Sequence, residues 1–197
     1  MKNKVSIPLV APSDVPEDYR HRWIWTKFAL ITPVVVVTTI DAAGRENAAP
    51  KNCVMPCSNE PHMLAFTCNM AHDTMKNIID TREFVVNIPG QDIFKQVMKM
   101  GAPLPRGVSE IKFAELTSLP SEVVQPPRIA ECRAHAECVL EWYRETGKGV
   151  IVVGKVVAAS ADEDLYKAPL EDRLTFLRPI VCWPDGFASV TEAWGKR

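Results

Sequence analysis

The chain has 197 residues, 47% of them apolar and 24% charged, which is enough for one domain with a buried core. Lys and Arg number 23 against 24 Asp and Glu, so the formal charge is −1; this argues against a basic field for nucleic acid and against an acidic tail. No apolar run reaches the ~18 residues of a membrane span, and none follows the basic start Met1-Lys2-Asn3-Lys4, so the expectation is a soluble cytoplasmic domain.

Residues 1–32 hold many prolines and charges, then Trp23, Trp25 and Phe28, and read as an arm or short helix laid over the domain. Pro33 to Ile40 (PVVVVTTI) is β-branched almost throughout and apolar on both faces, which predicts a strand. Asp41-Ala42-Ala43-Gly44 turns the chain, and a second extended segment begins at Asn47-Ala48-Ala49-Pro50. His62 to Cys68 is a third strand, opened by the turn Ser58-Asn59-Glu60-Pro61.

Asp73 to Asp80 has helical character, with Met75, Ile78 and Ile79 on one face and Asp73 or Thr74 as a cap. Glu83 to Ile88 is a fourth strand, and a short helix is predicted over Asp92–Met100. After the Pro-rich connection 121–128, alternation returns: Ala134, Ala136, Cys138, Leu140 and Trp142 on one side, Arg133, His135, Glu137 and Glu141 on the other, a half-buried strand. Gly149 to Ala159 is apolar on both faces, with Gly154 where a bend or close backbone approach is needed. Six or seven strands with few helices and no βαβ rhythm predict a mainly antiparallel β-barrel with helical insertions, followed by a tail at 183–197.

The six cysteines make no Cys-x-x-Cys pair and the four histidines lie far apart, so a metal site is not expected. Nucleophile elbow, P-loop and dinucleotide fingerprint are all missing from the sequence. A domain of this kind that performs chemistry borrows it from a cofactor. Asn69-Met70-Ala71-His72-Asp73-Thr74 leads from a strand end into a helix start, where free N–H groups and the dipole suit a phosphate; plain capping is the competing reading. Asn47 to Lys51 is small, polar and extended, a backbone against which a flat ring can lie.

Together these segments resemble the flavin reductase-like family. The resemblance runs in order through Pro33–Asp41, Gly44–Lys51, Met55–Ser58 with Pro61, His72-Asp73-Thr74 with Asn77-Ile78, and Thr81–Asn87, then Phe113–Thr117, Pro126–Cys132 and Leu177–Ile180. It implies an FMN-binding split β-barrel over residues 33–182, usually a homodimer. The activity it implies is electron transfer from NADH or NADPH through the flavin to free flavin, a redox protein such as a monooxygenase partner, or a small acceptor. A non-enzymatic electron carrier holding FMN is the alternative.

The same resemblance places Thr38 and Thr39 on the flavin side of the first strand and Asn47, Ala48 and Pro50 along the ring, with Ala49, Lys51 and Cys53 as further cofactor-binding candidates. His72, Asp73, Thr74 and Asn77 would surround the phosphate. Lys51 would meet negative charge on the ring, and no side chain is expected to be catalytic. Cys53 stands where the family commonly has a small hydroxyl residue, and His62 where it has a second proline.

Overall fold

The computed structural model describes residues 5–20, 23–28, 30–183 and 186–190. Two short helices, α1 (Glu17–Arg20) and α2 (Trp23–Phe28), precede β1 (Thr32–Pro33), β2 (Val35–Ile40), β3 (Glu46–Lys51), β4 (Val54–Asn59) and β5 (His62–Cys68). Next come α3 (Asp73–Thr81), β6 (Glu83–Ile88), α4 (Phe94–Lys99), α5 (Glu110–Phe113), β7 (Ser118–Leu119) and β8 (Arg128–Ile129). The long strands β9 (Ala134–Thr146) and β10 (Gly149–Ala161) follow, then α6 (Glu163–Lys167), α7 (Arg173–Leu177), β11 (Ile180–Trp183) and β12 (Gly186–Ser189).

One antiparallel sheet of seven strands runs in the order β3-β2-β6-β9-β10-β5-β4. β2 is buried along its whole length because both of its faces meet a core. Val34 and Val36 pack with Ile93, Val97, Met100, Ile111 and Ile129, whereas Val35 and Val37 pack with Phe66, Met75, Ile78, Phe84 and Val152. The period of two along a strand assigns Thr38 to the first of these sides and Thr39 to the second.

Gly154 is a close approach, as expected: a Cβ there would stand 2.3 Å from Cζ of Phe84, and the β9–β10 register shifts beside it. The expected solvent side of β9 needs correction. His135 and Glu137 are buried, at 8% and 1% exposure, while Trp142 on the supposed core side is 47% exposed. The reason is the connection before β9, which folds over these polar groups. Glu137 accepts the backbone N–H groups of Glu122, Val123 and Val124, and His135 bonds the Ile129 carbonyl and the Ser160 hydroxyl.

β4 and the β11–β12 hairpin are strands that sequence periodicity does not announce. β12 falls within the segment expected as a tail, and β1, at the end of the expected arm, pairs with β11. The side chains of Trp23 and Phe28, and all of residues 184–185 and 191–197 including Trp194, lie outside the described residues.

Candidate functional site

β3 is the edge strand of the sheet, paired only with β2. Its outward backbone groups are those of Glu46, Ala48 and Pro50, because groups two residues apart in an antiparallel strand point the same way. The Ala48 N–H donates to a carboxylate oxygen of Glu110 at 2.9 Å, and Pro50 has no N–H to offer. The edge at positions 48 and 50 therefore presents carbonyl oxygens and no free donor. It can receive hydrogen bonds and cannot give them.

That edge forms one wall of a cleft of about 410 Å³, lined by Asn47–Lys51, by Ala71–Thr74 at the start of α3, by Met100–Leu104 and by Glu110. α3 begins at Asp73, after His72 in extended conformation, and no side chain caps it. The first N–H groups of such a helix have no partner within it, and the dipole favours an anion there. The Thr74 hydroxyl accepts from the side-chain amide of Asn47 at 3.2 Å, which leaves its own proton available to a ligand. Asn47 and Asn77 both donate to the Thr39 hydroxyl, so the buried Thr39, Thr74 and Asn77 and the half-buried Asn47 form one hydrogen-bonded knot.

Arg106 ties the loop after α4 to this corner. Its guanidinium reaches the Asp73 carboxylate at 2.6 Å and the Asn77 side-chain oxygen at 3.1 Å. Burial opposes the Asp73 charge, but Arg106 and Lys76 outweigh it and hold the carboxyl below its ordinary range. Partial burial, with Lys51 and Lys76 nearby, pushes His72 below its ordinary value, so at neutral pH it offers a neutral ring. Burial pushes the Glu110 carboxyl up, against the Ala48 N–H that favours its charge, and the nearby Asp73 adds to the rise.

Most of the residues expected at the site meet here: Asn47, Ala48, Ala49, Pro50, Lys51, His72, Asp73 and Thr74 line the cleft, with Thr39 and Asn77 directly behind them. Thr38 stands apart. Its hydroxyl donates to the Pro127 carbonyl and accepts from Asn87, on the opposite face of β2 from Thr39. Cys53 lies in a neighbouring apolar cleft with Trp25, Leu30, Cys182 and Trp183, and His62 is exposed in a groove beside β10. Glu110, Arg106 and the Gly101–Leu104 loop carry no local signal in the sequence. Glu110 and that loop come to the cleft, and Arg106 to Asp73 and Asn77 beside it, through tertiary contacts across up to 62 residues.

The donor set suits a flavin mononucleotide. The cleft falls within the roughly 300–1,000 Å³ of small-molecule sites. Lys51, His72 and the uncapped start of α3 line it together with the acceptor edge of β3 and its small residues.

A family model described as flavin reductase like domain matches residues 28–185. An uncharacterized protein of Methanothermobacter thermautotrophicus is 34% identical over 138 residues, 68% of this chain and 65% of that protein, so the match spans about two thirds of the relative's length. A flavin reductase (NADH) of Kitasatospora aureofaciens is 26% identical over 182 residues, covering 91% of this chain and 89% of that one. Among solved structures, nitrilotriacetate monooxygenase component B from Bacillus cereus superposes with a TM-score of 0.84 at 25% identity, covering 100% of both chains. The expected split β-barrel is the architecture found.

Proposed function

The chain belongs to the flavin reductase-like family, and on that premise we propose that it is an FMN-dependent oxidoreductase that takes electrons from NADH or NADPH. A flavin-related redox function follows from the family and its neighbours. The finer reading rests on one observation: a single cleft joins the acceptor edge of β3 to the cation-flanked start of α3.

When bound, the flavin supplies hydride acceptance and onward electron transfer. The chain's own residues bind and orient. Thr74 and the first N–H groups of α3 would hold the phosphate, with Arg106 and Lys76, both paired to Asp73, offsetting that carboxylate's charge. Ala48, Ala49 and Pro50 would form a wall for the ring, and Lys51, close enough to act on His72, would meet negative charge on the flavin. Met100 to Leu104 line the remainder of the cleft.

The electrons pass on to free flavin, a small acceptor or a redox partner such as a monooxygenase. A second copy of the chain is the partner proposed for the exposed apolar positions Met55, Val139, Trp142 and Val157.

The test is the visible spectrum of protein mixed with FMN and then desalted. Retained yellow colour that bleaches on anaerobic addition of NADH or NADPH supports the reading. Colourless protein overturns it, and a flavin spectrum without NAD(P)H turnover leaves a carrier.

A further inference from the structure

Glu110 is an ionisable side chain at the cleft whose presence neither a ring nor a phosphate explains. It sits at the start of α5, held against β3 by the Ala48 N–H at 2.9 Å. A carboxylate has about four lone-pair positions, so this bond leaves most of its accepting capacity unused. The outward carbonyls of Ala48 and Pro50 lie on the same edge. This stretch of the wall gathers acceptors.

Such a wall repels a phosphate and matches a chain of hydroxyl donors. Its place in the cleft agrees. Asn47, one residue before Ala48, bonds Thr74 at the end assigned to the phosphate, and Ala49 to Lys51 continue along the same wall. Glu110 thus stands beside the end assigned to the phosphate, where a flavin's sugar-alcohol chain would begin.

On the reading that the cleft holds a flavin, we propose that Glu110 accepts hydrogen bonds from hydroxyls of the ribityl chain and so selects flavins that carry it. A carboxylate that only capped the β3 edge would stiffen the wall for every ligand alike. The two roles separate by ligand truncation.

The experiment measures Kd by quenching of flavin fluorescence for FMN, riboflavin and lumiflavin, which keeps the ring and lacks the ribityl chain. The proteins are wild type, Glu110→Gln and Glu110→Ala. Gln can keep the Ala48 bond through its amide oxygen, but it turns an N–H₂ donor toward the cleft. Expected is a roughly tenfold weaker Kd for FMN and riboflavin in both variants, with lumiflavin changed less than about twofold. Equal losses for all three ligands, or no loss for any, overturn the proposal while the flavin reading stands. Wild-type protein that binds none of the three overturns both. A thermal melt reports whether each variant is folded, and Glu110→Gln carries the test if the Ala variant is not.

Discussion

The Arg106 guanidinium lies 2.6 Å from the carboxylate of Asp73, the first residue of α3, and so fastens the loop after α4 to the start of that helix. Arg106→Ala is expected to release that fastening and to remove positive charge from the same corner. FMN dissociation, followed by stopped-flow fluorescence, should accelerate about tenfold. Riboflavin, which has no phosphate, should respond less.

Thr74→Val removes a hydroxyl whose proton is left free by the Asn47 bond. FMN affinity is expected to fall about tenfold, with riboflavin affinity nearly unchanged and the fold intact. Equal loss for the two ligands in a titration would remove Thr74 from the phosphate site.

Glu137 concerns stability rather than binding. Burial pushes its carboxyl up, but three backbone N–H groups and Arg128 outweigh that and hold it below its ordinary value. A depressed carboxyl stabilises the fold above its unfolded pKa, and that stability is lost as pH falls through the folded value. Urea melts should therefore show wild type weakening as pH drops below about 4.3. Glu137→Gln should cost about 2 kcal/mol at pH 7, with the gap to wild type narrowing in acid.

Gly154→Ala places a methyl 2.3 Å from Cζ of Phe84, a ring already packed edge-on against Phe66. The expected cost is about 1–3 kcal/mol, read as a lowered Tm. Pairing it with Phe84→Leu should recover part of the loss, a non-additivity that a double-mutant cycle measures.

Much of this architecture is legible in the sequence where one physical signal dominates. Unbroken β-branched residues mark β2, and β5 and β6 take their expected bounds of His62–Cys68 and Glu83–Ile88. β4 is not legible because Pro56, Cys57, Ser58 and Asn59 mix a ring constraint with polar residues on an exposed strand. The polar side of β9 misleads because its partners come from residues 122–129, and a local pattern does not contain them. The candidate site divides in the same way. The helix start at His72-Asp73-Thr74 and the extended Asn47–Lys51 are local features, whereas Glu110 reaches the cleft, and Arg106 reaches Asp73, only through the folded chain. Thr38 and Thr39 are neighbours in sequence, and the strand's alternation alone sends them to opposite faces.

The strand order β3-β2-β6-β9-β10-β5-β4 also carries a timetable for biosynthesis. A ribosome delivers β2, β3, α3 and α5 first, yet β9 and β10 are the planks that bridge β6 to β5. A nascent chain halted before residue 134 owns two separated sheet fragments with no bridge between them. The corner where β3 meets the start of α3 is then already synthesised, but the sheet that carries it closes only when β9 and β10, ending at Ala161, have been added.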